Sequence, residues 1–263
     1  MYKNLNSRTF GILILLSLLL FAFITPFLTG YQAHSQDLMN SLSGFTSSNL
    51  LGTDHYGRDM LTRLAYAVQL SFVLSFVTMI SSAIPGILLG ILAAYKGGIT
   101  EKVLLVFSDI ILALPGLLLV LLFIAFSPGN FLFLYLGLSL SLWVEFFRVS
   151  RAKTKSILVE PYIESTKLLG FSSFYILKKQ ILPSLYPSIL TLSTFAMSTA
   201  IIAISTLSAL NVGIQPPTAE LGSMIVELMP YFEEEPFLIF LPSFFIFLLV
   251  LSLQLISKRI SNV

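Results

Sequence analysis

Residues 148–183 read RVSRAKTKSILVEPYIESTKLLGFSSFYILKKQILP, and the placement of the whole chain follows from this stretch. It is the only long polar segment between apolar runs that is dense in Lys and Arg, with seven basic side chains against Glu160 and Glu164. Basic loops stay on the cytoplasmic side of a membrane, so the segment is placed there. Inside it, Pro161 followed by YIESTKLL and Gly170 predicts a short helix. Proline suits the first turn, where its missing N–H has no partner, and glycine suits the C′ position because it accepts positive φ. Ser172 or Ser173 offers a second N-cap, for a helix running through Lys178 and Lys179 to the helix-breaking Pro183. Two compact helices are expected beneath the membrane, between two apolar spans.

The flanking sequence confirms the setting. At 56% hydrophobic, 11% charged and a mean hydropathy of +0.91, the 263 residues are too apolar for a soluble domain. Apolar runs long enough to cross about 30 Å of hydrocarbon fall at roughly 10–28, 68–94, 103–126, 130–147, 186–212 and 237–256. The reading is an all-α integral membrane protein of six helices. With the N-terminus inside, every Lys and Arg except Arg58 and Arg63 falls on the cytoplasmic side, Lys258 and Arg259 included, so both termini are predicted cytoplasmic. The first run continues past a secretory-signal length with no clean cleavage site, which favours an uncleaved anchor. The absence of cysteine excludes disulfides and thiolate metal sites.

Several residues stand out for their setting. In the external segment, Asp54 is a candidate N-cap for a helix along the membrane surface, and Arg58 and Arg63 are set to pair with Asp54 and Asp59. Gly86 and Gly90 form a small-residue pair suited to close helix packing. Ser71, Ser75, Thr78 and Ser82 share one face of the second span; Thr191, Thr194, Ser198, Ser205 and Ser208 share one face of the fifth. Such stripes serve either packing or a wet translocation path, and both readings stand. Asp109 carries the roughly 2.5–3.5 kcal/mol insertion cost of an intramembrane acid and reads as a structural or gating group, and Pro115 is expected to kink its helix. Ser127-Pro128-Gly129-Asn130 predicts a tight external turn, Trp143 an interfacial position, and Glu145 with Arg148 an i, i+3 ion pair. Glu220, Glu227 and Glu233 to Glu235 read as a solvated negative outer rim.

Three of these stretches resemble one family. Glu164-Ser165-Thr166, then Gly170, then Ile181-Leu182-Pro183 resembles the EAA loop of ATP-binding-cassette importer permeases, with Ser165 and Thr166 in place of the two alanines. LGTDHYGRDMLTRL, residues 51–64, resembles the LGTDxxGRDxxxRL stretch of the peptide and nickel import subfamily, and NVGIQPPTAELG, residues 211–222, resembles its GVQPPTPxWG turn with Leu221 at the aromatic position. The resemblance implies a type I importer transmembrane domain, divided as residues 1–66 (anchor helix and external loop) and 67–263 (permease core with the coupling loop 148–183). It implies that Tyr162, Glu164, Ser165, Thr166, Leu168, Gly170 and Pro183 meet a cytoplasmic ATPase, and that Asp54, Arg58, Asp59 and Arg63 serve an outer gate or its structure. It also implies a related second permease, two ATPases and an external solute-binding protein as partners, in the bacterial cytoplasmic membrane, with no nucleic acid involved. ATP and Mg would be bound by the ATPases and no cofactor by this chain, which has no GxxxxGK[ST] loop.

Two other functions are weighed against this one. A membrane hydrolase needs a nucleophile beside a base, yet His34 and His55 both lie in the external loop and no acid–base pair lies inside the spans. A passive channel or secondary transporter is compatible with the spans but has no use for the Glu164 to Pro183 arrangement. Substrate is expected among nickel, metal chelates and short peptides. The compact chain leans toward a metal chelate, with di- or oligopeptides as the alternative.

Overall fold

The computed structural model describes residues 3–127 and 130–257; its regular structure is helical apart from one isolated bridge between Thr53 and Asp59, with irregular segments between helices, notably over 41–59 and 210–220. Lys258, Arg259 and the Pro128-Gly129 pair of the expected turn lie outside the described residues. The long helices are α1 (Lys3–Thr29), α2 (Met60–Lys96), α3 (Gly98–Leu112), α4 (Gly116–Phe126) and α5 (Phe131–Leu158). They are followed by α6 (Pro161–Leu168), α7 (Ser173–Ile176), α8 (Leu182–Ala209), α9 (Leu221–Leu228) and α10 (Pro236–Ser257). Among the described residues, five helical stretches are individually long and apolar enough to cross a membrane. The expected single span at 103–126 is instead two helices, α3 and α4, meeting at 80°. Pro115 does more than kink: it lacks the N–H that would continue α3, so the helix stops at Leu112 and restarts at Gly116.

Helices α2, α5 and α8 pack together, with α1 and α10 against one side and α3 and α4 against the other. Lipid gives helices no hydrophobic reason to associate, so association relies on close contact and buried polar groups. Gly86 and Gly90 supply the contact. A Cβ on Gly86 would stand 2.6 Å from Phe146 Cβ, and one on Gly90 would stand 2.6 Å from the Phe147 carbonyl oxygen. Trp143, expected at an interface, is buried here instead, stacked on Phe147 at 5.3 Å and edge-on to Phe107 at 5.6 Å. The division drawn between residues 66 and 67 falls inside α2, which begins seven residues earlier than that at Met60. One apolar cluster runs through Leu18 and Ala22 of α1, Leu64 and Val68 of α2, Ile201 of α8, Met224 of α9 and Leu249 of α10.

Replacing Gly86 with Ala is expected to cost about 1–3 kcal/mol by overpacking, read as a lower unfolding temperature of the purified protein in detergent. Gly44→Ala, with nothing within 4 Å of the new Cβ, leaves that temperature unchanged.

Candidate functional site

Two groups of residues lie at opposite ends of the bundle. The first is built on the loop before α2. Asp54 heads no helix. Its Oδ1 accepts the Tyr56 and Arg58 backbone N–H groups at 2.8 and 3.0 Å, closing a tight loop at Gly57, whose φ of +70° suits only glycine. The cap of α2 is Asp59, whose carboxylate accepts from Thr62 N at 2.8 Å and from the Thr62 hydroxyl at 2.6 Å. This frees Asp54 Oδ2 to receive Arg58 Nε at 2.6 Å and an Arg63 guanidinium nitrogen. The same two arginines reach Glu227 of α9 at 3.1 and 2.6 Å. The expected pairing with Asp59 is therefore replaced by one with Glu227, because α9 folds back over the loop.

This four-charge cluster is almost dry, with both arginine side chains 1% exposed. Burial by itself raises the Asp54 carboxyl, but the Arg63 charge, the Arg58 N–H and the Arg58 charge outweigh it and hold Asp54 below the ordinary carboxylate range. His55 next to it is pushed below the usual imidazole value by burial, against the pull of Asp54 and Glu227, and stacks on Tyr231 at 5.0 Å. Glu220 likewise leaves the expected solvated rim. It is fully buried as the cap of α9, accepting Gly222 N and Ser223 N at 2.8 and 2.9 Å and the Ser205 hydroxyl at 2.9 Å. Glu233 and Glu234 remain exposed. Sequence reading missed Glu227 because its partners lie across the fold; Glu220 bonds to N–H groups only two and three residues on, and an acid just before the LGSM start of a helix was the capping signal that could have found it. A cavity of about 450 Å³ opens at the same end between His34, Tyr66, Gln69 and Thr218.

The hydroxyl stripes lie between the two ends, and most of them face inward. Ser71, Ser75, Thr78 and Ser82 are fully buried within the chain; the Ser82 hydroxyl lies within donating distance of its own helix's Thr78 carbonyl at 2.7 Å and of the Ser139 carbonyl of α5 at 3.0 Å. On α8, Ser198 donates to the Thr194 carbonyl, and Ser205 and Ser208 hold the turn that leads to α9, Ser208 accepting from Ile214 N at 3.0 Å. Ser198 and Ser205 are 3% and 6% exposed. Both side chains are closed over by their own neighbours in this chain. Thr191 and Thr194 are half-buried, donating to Pro187 O and Thr191 O.

At the opposite end, α6 starts at Pro161 and ends before Gly170, whose φ is +81°. Ser172 caps α7 by accepting from Tyr175 N at 3.3 Å. The second helix is not compact, however. A π turn over Leu177–Ile181, closed by Leu182 N–H on the Leu177 carbonyl, carries α7 into α8 without interruption, and Pro183 sits in the first turn of α8, where no N–H is required. Ile163, Ile176, Ile181 and Leu185 are buried together beside Ile157 of α5, and Gln180 Nε2 donates to Thr166 Oγ1 at 2.8 Å. Tyr162, Leu168, Phe171 and Phe174 project outward, Leu168 being 84% exposed. Ser165 and Thr166 back-bond to the Pro161 and Tyr162 carbonyls, and Glu164 is exposed. The arrangement is a small anchored knob with an apolar surface.

Residues 86–262 match the family described as binding-protein-dependent transport system inner membrane component. The chain is 30% identical over 258 residues to the di/tripeptide transport system permease protein DppC of Pseudomonas aeruginosa, covering 96% of this chain and 85% of that protein. It is 27% identical over 267 residues to the dipeptide transport system permease protein DppC of Haemophilus influenzae, covering 99% and 90%. The oligopeptide transport system permease protein OppC of Bacillus subtilis is 26% identical over 236 residues, covering 90% and 77%. Among solved structures, a chain of the inward-facing MetNI methionine ABC transporter superposes with a TM-score of 0.61 at 19% identity, covering 77% of this chain and 96% of that one.

Glu227→Gln leaves two buried guanidinium groups sharing one carboxylate, and a loss of about 3–5 kcal/mol is expected, seen as a drop in unfolding temperature that Glu233→Gln does not produce. Because the folded pKa of Asp54 is depressed, its contribution is complete above about pH 4 and is lost as pH falls through the folded value. Acid titration of Asp54→Asn should show a shallower decline than the wild type.

Proposed function

The chain belongs to the family of binding-protein-dependent transport system inner membrane components, the ABC importer permeases that include peptide permeases, and on that premise we propose that it forms half of the translocation pathway of an ATP-driven importer of short peptides. It is a multi-pass protein of the bacterial cytoplasmic membrane. The observation that carries the substrate class is the near-full-length similarity to permeases named for di-, tri- and oligopeptides. The lean toward nickel or a metal chelate rested on compactness alone and gives way to the peptide alternative. Specificity for a particular peptide would reside largely in a solute-binding protein.

The remaining features fit this role. The bent α3–α4 pair crosses as one interrupted span, giving six crossings with both termini on the cytoplasmic side, next to the basic 148–183 segment. The knob of Tyr162, Glu164, Ser165, Thr166, Leu168 and Gly170, with Pro183 at its junction to α8, presents its apolar surface to a groove of one ATPase, which supplies the ATP and Mg chemistry. The knob is fastened to α5 and continuous with α8, so its displacement moves both helices. At the far end of α8, Ser205 and Ser208 hold the turn before α9, and α9 carries Glu227 to Arg58 and Arg63, a linkage that supports assigning Asp54, Arg58, Asp59 and Arg63 to the structure that opens or closes the outer side. A second, related permease completes the passage, the half-buried Thr191 and Thr194 being the striped hydroxyls still available to it.

The test is dipeptide uptake by the intact transporter in proteoliposomes. Uptake is expected to require ATP and the binding protein, and Gly170→Val, which forces a branched side chain into left-handed backbone, should reduce it at least tenfold with all subunits still co-purifying. Uptake that continues without ATP hydrolysis would instead establish a passive or secondary transporter.

A further inference from the structure

Helices α3 and α5 run antiparallel, and their charges meet in rungs. Glu101 binds Arg151 and Lys155, and further along Asp109 binds Arg148 at 2.5 Å. The second rung is open to the surroundings, with Arg148 and Asp109 side chains 47% and 62% exposed. One helical turn beyond Arg148 on the same exposed side of α5 stands Glu145, which is also exposed and for which no hydrogen bond or ion pair is seen among the described residues. The expected Glu145–Arg148 pair is not made, because Arg148 turns to Asp109 across the helix pair. Just past Asp109, α3 breaks and α4 leaves at 80°, so residues 112–118 are all exposed and nothing among the described residues covers this face.

The depth of Glu145 makes this informative. It lies fourteen residues into α5, counted from Phe131, or about 21 Å along the helix axis at 1.5 Å per residue. That keeps it within the apolar run of residues 130–147, near the cytoplasmic end beside Arg148. An exposed carboxylate without a partner, beside an exposed ion pair, is not a lipid-facing surface; intramembrane acids turn toward a water-filled cavity or a partner. Resting on the peptide-import reading above, we propose that the face bearing Glu145, Arg148 and Asp109 is a wetted wall of the passage, where Glu145 receives the free α-ammonium group of a passing peptide. An ammonium offers three donors and a carboxylate only accepts, so the two are complementary and charge-assisted. Asp109 holds Arg148 back, so that Glu145 is not already neutralised by its own helix and stays free for cargo.

The chain has no cysteine, so a single E145C substitution gives an unambiguous label site on it in the intact transporter. Modification by a cationic, membrane-impermeant methanethiosulfonate is expected, and absence of labelling in the open transporter would place the position against lipid and overturn the proposal. In proteoliposomes, E145Q should lower the number of dipeptides carried per ATP hydrolysed about tenfold, and E145D should restore most of it. A wild-type ratio in E145Q overturns the proposal, as does loss of the second permease on purification of E145Q, which would make Glu145 an interface residue. If the wild-type transporter carries no dipeptide at all, the peptide reading itself falls, and that is seen before any variant is compared.

Discussion

Two arginines and two carboxylates held almost without water fix the outer architecture of this molecule. Asp54 and Glu227 come from segments far apart in sequence, and neither can be withdrawn without leaving a guanidinium buried and uncompensated. A buried charge cluster adds little net stability over an apolar one. Its effect lies in selection: only the arrangement that brings α9 over the loop before α2 satisfies all four charges. Glu220 repeats the logic on a smaller scale, tying the start of α9 to Ser205 of α8. The loop, α9 and the end of α8 are thereby joined into one piece, though a long stretch of chain separates the loop from the other two.

Continuity of α8 matters as much as that cluster. A proline in a helix interior removes an N–H and crowds the preceding turn, a strain that α8 also accommodates at Pro187. The π turn over Leu177–Ile181 places Pro183 where its missing N–H has no consequence. The knob is therefore the end of a long rod rather than a separate element, and its isoleucine cluster fastens it to α5 as well. A rigid connection of this kind is what a subunit driven from outside the membrane requires, since a flexible one would dissipate displacement before it reached the spans.

The polar residues inside the spans divide into two kinds once their exposure is known. The stripe residues of α2 are closed off within the chain: Ser75 and Ser82 bond back to their own helix, whereas the Ser71 and Thr78 hydroxyls have no hydrogen-bond partner among the described residues. Asp109, Glu145 and Arg148 are exposed on the surface of the chain. Periodicity alone left packing and passage both open for the first set, and for the second it gave a structural or gating acid at Asp109 and a Glu145–Arg148 pair. Periodicity reports which residues share a face; it does not report what that face meets.

The sequence by itself determined the membrane setting, because span length and the bias of Lys and Arg depend only on composition along the chain, and it determined the α6 helix, because Pro161 and Gly170 impose their own backbone angles. It also carried the family, through three local motifs. Tertiary structure alone decided that Arg58 and Arg63 bind Glu227 rather than Asp59, that Glu220 is buried, that Arg148 turns from Glu145 to Asp109, and that the hydroxyl stripe of α2 faces inward. Each of these depends on which distant helix arrives as a neighbour, and the energy of an ion pair or a buried hydroxyl belongs to two residues together, so no reading of one residue in its own segment contains it.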